Sequence, residues 1–96
     1  MFDQAKMVMQ MRKLQKELAR QQIEVSAGPD GAVLVTITGE QKIKKISIKP
    51  EAVDTGNIGE LEGWIETAIK EAISKSQQVA AEKMRPVMGK LGNLGL

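Results

Sequence analysis

Three short segments rich in β-branched residues, 23–27, 32–38 and 43–48, lie between two stretches whose apolar residues recur every three to four positions. A period that changes from 3.6 to 2 and back fixes the order helix, strands, helix. Gly28-Pro29-Asp30-Gly31 separates the first two strands. Proline presets φ at one turn position and glycine accepts positive φ at another, so these strands form an antiparallel hairpin. Gly39-Glu40-Gln41 makes the second reversal. The expected fold is therefore α+β, an α-β-β-β-α protomer with a three-stranded antiparallel meander. Val33, Val35 and Ile37 share one face of the second strand. Ile43 has the opposite parity to Ile46 and Ile48, which requires either a bulge near Lys44-Lys45 or a two-sided strand.

The first helix is marked by Met7, Met11, Leu14 and Leu18, with Asp3 as a cap and Phe2 packing on Met7 as a hydrophobic staple. Met9 points away from that seam. At 100° per residue, Lys6, Lys13, Lys16 and Arg20 form a stripe roughly opposite it, with Arg12 to one side. The second helix starts at Asn57-Ile58-Gly59-Glu60, a variant capping box. It carries Ile58, Leu61, Ile65, Ala68, Ile69, Ala72 and Val79 on one face. Glu66–Lys70 and Glu71–Lys75 are i,i+4 pairs. Pro86 removes a backbone donor and is expected to end or kink the helix near Met84. The remainder, 88–96, has glycine at every third position and reads as a flexible Gly/Leu-rich tail beyond a single domain of residues 1–87.

The residue inventory excludes much chemistry. With no histidine and no cysteine among 96 residues, the usual general base, the commonest zinc ligand, thiolate nucleophiles and disulfides are all missing. No enzyme activity, cofactor, metal or small-molecule substrate is expected. Glu60, Glu62 and Glu66 sit at the positive end of a helix dipole, which accounts for them without an acid–base pair or magnesium site. Gly89-Lys90 lacks the preceding glycine, the following Ser or Thr and the strand that a phosphate loop requires. No signal peptide or membrane span is expected, and the cytoplasm is the expected compartment.

Net charge is only +2, but it is unevenly spread: residues 1–22 carry five cations against two acids, 51–74 one against six, and 75–96 four against one. Four cations without an acid in the first-helix stripe are unusual for a merely solvated face, which mixes signs. Lys42, Lys44 and Lys45 either line DNA or guard an exposed strand against edge-to-edge pairing. Trp64 reads as an interface anchor rather than a stacking platform for bases, since the chain has only two aromatic residues.

Three local patterns taken in order carry a family resemblance. These are the Met/Gln-rich helix from Met7-Val8-Met9-Gln10-Met11 to Leu14-Gln15-Lys16-Glu17-Leu18; Val25-Ser26-Ala27-Gly28 followed by Gly31-Ala32-Val33-Leu34-Val35 and Gly39; and Ile46-Ser47-Ile48-Lys49-Pro50. Over about residues 7–84 the chain resembles the YbaB/EbfC family of bacterial nucleoid-associated proteins. The resemblance implies a tweezers-shaped homodimer that binds double-stranded DNA through basic residues on projecting helices, with a role in nucleoid organisation and gene regulation. The residues that would then meet DNA are Lys6, Arg12, Lys13, Lys16, Arg20, Lys42, Lys44, Lys45, Lys75, Lys83 and Arg85. The competing expectation is a protein–protein adaptor that docks a partner through its basic, Met-rich helices.

Overall fold

A computed structural model describes residues 4–92. The order is α1 (Gln4–Arg20), β1 (Gln22–Ala27), β2 (Val33–Thr38), β3 (Ile43–Ile48) and α2 (Ile58–Gly92), with short 3-10 turns at Pro29–Gly31 and Pro50–Ala52. The α-β-β-β-α protomer expected from periodicity is the observed one. The Phe2 staple and Asp3 cap fall outside the described residues.

The strands form an antiparallel sheet in the order β1-β2-β3. Val25 pairs with Val35, which pairs with Ile46, so one face carries an apolar row across all three strands. Thr36 pairs with Lys45 but Ile37 pairs with Ile43, which leaves Lys44 as the extra residue of a bulge. Of the two explanations for the parity of Ile43, the bulge holds, and it turns Ile43 to the same face as Ile46 and Ile48. The β1–β2 turn uses left-handed backbone at Gly28 (φ 82°), Asp30 (φ 56°) and Gly31 (φ 68°).

α2 lies across β1 and β2. Ala68, Ala72 and Ser76, spaced four apart, are fully buried. Their small side chains bring the helix close to Val25, Val33, Val35 and Ile37, while Leu61, Trp64, Ile65 and Ile69 pack around that core. Trp64 does not stand free as an anchor: a Cβ at Gly28 would come within 2.8 Å of its indole, so the ring lies on the β1–β2 turn. The Asn57 side chain does not cap α2; instead the Glu60 N–H donates to the Asn57 carbonyl at 3.2 Å. Ile58, expected on the buried face, is 44% exposed, because it precedes the first residues that reach the sheet.

α2 does not stop near Met84. It passes through Pro86 and continues to Gly92, so residues 88–92 of the expected tail are helical, and 93–96 lie outside the described residues. Proline removes the hydrogen bond to the carbonyl of Glu82, and its ring crowds that carbonyl. Residues 81–86 are exposed, so water can solvate that carbonyl and the helix tolerates the loss.

The helices and sheet meet at Thr38-Gly39. The Gly39 N–H donates to the Leu18 carbonyl at 2.9 Å and to that of Gln21 at 3.2 Å, which satisfies carbonyls at the end of α1. The buried Ser76 hydroxyl donates to the Thr38 carbonyl at 2.6 Å. A Cβ on Gly39 would lie 3.0 Å from the Leu18 carbonyl oxygen and 3.2 Å from its Cα, both backbone atoms that cannot swing aside. Gly39→Ala is expected to push α1 off the sheet and lower stability by about 1–3 kcal/mol, as overpacked sites do. Ser76→Ala removes one of the two hydrogen bonds to the Thr38 carbonyl, which keeps the Gln41 N–H at 3.0 Å, and should cost less, about 0.5–1.5 kcal/mol. Urea unfolding followed by circular dichroism measures both.

Candidate nucleic-acid interface

α1 and the distal part of α2 run antiparallel as an arm beyond the sheet. The last sixteen residues of α2 (77–92, after Ser76) extend about 24 Å at 1.5 Å per residue, and the described molecule is 66 Å long but only 20 by 17 Å across. Only Leu14 and Leu18 of the α1 seam are buried; Met7 is half-buried, and Met11, expected in the core, is 37% exposed. The seam opens toward the start of α1 because the sheet no longer backs it there.

Along α1, Lys6, Arg12, Lys13, Lys16 and Arg20 are all exposed, and Glu17 is the helix's one acid. Between the helices runs a cleft of about 380 Å³ lined by Gln10, Lys13, Leu14, Glu17, Glu82, Lys83, Pro86 and Val87. Two lysines there face two glutamates, so the cleft is charge-balanced and offers no anion site. The excess positive charge is on the outer face of α1, with Lys6, Arg12, Lys16 and Arg20, and Lys13 stands at the border between that face and the cleft.

The other expected residues do not join that face as one group. Lys83 lines the cleft beside α1. Lys75 is held 3.4 Å from Glu71, and the pair is half-exposed. Lys83 and Arg85, two residues apart, point to opposite sides of α2, about 160° from each other, and both are exposed. Lys42, Lys44 and Lys45 cluster at the start of β3, on the sheet rather than the arm; Lys42 lies 4.0 Å from Glu40. On α2, Lys70 donates to Glu66 at 2.6 Å, and this hydrogen bond, aided by the ammonium charge, lowers the Glu66 pKa from the ordinary value.

Sequence reasoning missed three exposed isoleucines. Ile43, Ile46 and Ile48 lie on the face that α2 covers over β1 and β2, yet they remain 43%, 43% and 39% exposed. The signal available was the parity problem itself: once the bulge is placed, all three share the core face of an edge strand. Among the described residues no cluster of three or more His, Cys, Asp or Glu could hold a metal ion, and no helix is long and apolar enough to cross a membrane.

This combination, a three-stranded meander carrying a projecting two-helix arm with cations on its outer face, defines a small α+β protein with a basic arm. The sequence model of the YbaB/EbfC DNA-binding family matches residues 1–91, and the chain belongs to that family. A protein named nucleoid-associated protein from Ruminiclostridium cellulolyticum is 40% identical over 89 residues, covering 93% of this chain and 76% of its own length. One of the same name from Chloroflexus aggregans is 40% identical over 85 residues, covering 88% and 84%. The crystal structure of an uncharacterized protein from Helicobacter pylori superposes with a TM-score of 0.58 at 13% identity, over 95% of this chain and 98% of that one, and shares the fold.

The arm rests on an α2 that carries a proline in its interior. Pro86→Ala restores the donor to the Glu82 carbonyl and should stabilise distal α2 by up to ~3 kcal/mol in helix propensity, less the packing of the ring in the cleft. Amide exchange of residues after Lys83 should slow; unchanged protection would show that the proline is already accommodated without loss.

Proposed function

We propose that the chain binds double-stranded DNA as a homodimer, through the outer face of α1, and acts as a nucleoid-associated protein in the bacterial cytoplasm. The observation that carries this reading is the row of five exposed cations on α1, set on an arm that stands clear of the sheet. Family membership and the names of the relatives support DNA as the partner. Low aromatic content supports the duplex form: one Trp, seated on its own chain's turn, and one Phe make no series of stacking platforms for unpaired bases. The reading includes no catalytic step.

The homodimer is supported by the isoleucine row of β3. Each side chain is already more than half covered, so burying the rest contributes roughly 1 kcal/mol per isoleucine per protomer. A second copy on this surface would also present the basic face twice. Ile46→Lys should convert the dimer to monomer at micromolar concentration in light scattering while leaving the protomer folded. A parent protein that is itself monomeric would remove the dimer from the reading.

Contacts from Lys and Arg go mainly to phosphates, so affinity should fall steeply with salt and sequence discrimination should be modest. If about six to ten phosphates are neutralised per dimer, affinity drops on the order of a thousandfold or more between low and moderate salt. Replacing Lys13, Lys16 and Arg20 together by Gln keeps helix propensity and leaves Leu14 and Leu18 in place. That variant should stay folded, bind duplex DNA more weakly and show a flatter salt slope in gel-shift titrations. Parent-like binding at every salt concentration would exclude α1 as the DNA-binding element and favour an adaptor role.

A further inference from the structure

Met9 is 69% exposed, the most exposed large apolar side chain among the described residues. Its position on α1 is singular. At 100° per residue, all five cations of the helix lie within about 60° of the Met9 direction: Lys6 and Lys13 about 60° and 40° to one side, Arg12 and Lys16 about 60° and 20° to the other, and Arg20 about 20° off. The remaining exposed large apolar residues of α1, Val8 and Met11, lie about 100° and 160° away; nearer to Met9 is the small Ala5, about 40° off. Met9 therefore does not extend an apolar patch, which a protein-docking surface would require; it stands alone on the axis of the basic face. Helix propensity does not explain the choice, since Gln, Lys, Arg and Glu form helices as readily and suit a wet face better.

A helix with its side chains is about 10–12 Å across, and the major groove of B-DNA is about 12 Å wide with a phosphate backbone on each rim. A helix lying there with Met9 toward the floor aims Lys6 at one rim and Arg12 at the other, with Lys13, Lys16 and Arg20 at smaller angles between them. The feature of the floor that an apolar side chain reads is the thymine C5-methyl group. The thioether is unbranched and polarizable, with three rotatable bonds, and it adapts to methyls at different heights. We propose that the outer face of α1 enters the major groove and that Met9 contacts thymine methyl groups there, so that this one apolar side chain adds a methyl-dependent preference to an otherwise cationic surface. The proposal rests on the DNA-binding reading above.

The test compares full-length parent, Met9→Gln and Met9→Leu in anisotropy titrations against one A·T-rich duplex, made either with thymine or with deoxyuridine, which lacks only the C5-methyl. The parent should bind the deoxyuridine duplex about fourfold more weakly for each methyl contacted, the value of burying one methyl-sized group. Met9→Leu should keep that discrimination, and Met9→Gln should lose it. All three proteins should keep the same salt slope, because no phosphate contact changes. Circular dichroism checks that the variants fold. A parent indifferent to the methyl, or a Met9→Gln variant that still discriminates, overturns the proposal while leaving salt-dependent DNA binding intact. A parent that binds neither duplex overturns the DNA-binding reading as well.

Discussion

The protomer depends on the Thr38-Gly39 junction. Backbone groups of three elements meet there: the Leu18 and Gln21 carbonyls at the end of α1, the Gly39 amide, and the Thr38 carbonyl, which also accepts from the Gln41 N–H of its own turn at 3.0 Å. Hydrogen bonds to Leu18 and Gln21 on one side and from Ser76 on the other tie both helices to this point. The Thr38 hydroxyl completes the arrangement by accepting from the Glu40 and Lys42 amides at 3.2 and 3.3 Å, which fixes the β2–β3 turn. Buried polar groups left unpaired cost about 1–3 kcal/mol each, so this small network specifies where both helices leave the sheet. The arm's direction follows from it. α1 makes few other contacts, with Leu14 and Leu18 its only buried side chains.

That anchoring allows charge to be distributed lengthwise. The acids Glu51, Asp54, Glu60, Glu62 and Glu66 belong to the connection into α2 and its first turns, and the cations of α1 belong to the arm. In a molecule 66 Å long the two ends are separated by several Debye lengths, about 8–10 Å each at physiological salt. The acidic end therefore does little to weaken the field of the basic one. A net charge of +2 conceals this polarity. Charge separated in this way would attract a polyanion to the arm and repel it from the opposite pole, orienting encounters before any contact forms.

Where the sequence was legible, local rules and global packing agreed. The strands were readable because alternation and turn residues agree with a buried face, and β3 was readable down to its anomaly at Ile43. The α1 cations were readable because a regular helix converts spacing into angle directly. Three features were hidden. Pro86 obeys the rule for helix interiors, but the rule carries a cost that an exposed helix can meet with water, so the sequence alone overstates it. Lys75, Lys83 and Arg85 cluster in sequence at a basic helix end, yet spacings of eight and two residues scatter them around α2, and Glu71 already engages Lys75. Gly39 looked like an ordinary turn residue; its closeness to Leu18 is a tertiary contact that no local pattern encodes.

The bulge at Lys44 links the fold to the assembly proposed for it. Without the extra residue, Ile43 would turn to the polar face beside Lys45, and the apolar row of β3 would shorten to Ile46 and Ile48. With it, the row runs the length of an edge strand while Lys42, Lys44 and Lys45 gather at one end. Edge strands that are apolar and uncharged recruit further strands without limit, and lysines discourage that pairing. Like charges also oppose two copies of the same strand end meeting side by side. The surface that remains attractive is the isoleucine face and not the strand's hydrogen-bonding edge, and a face is covered by one partner where an edge can be extended by many. A second copy seated there would close the proposed assembly at two, where pairing through the strand edge would not.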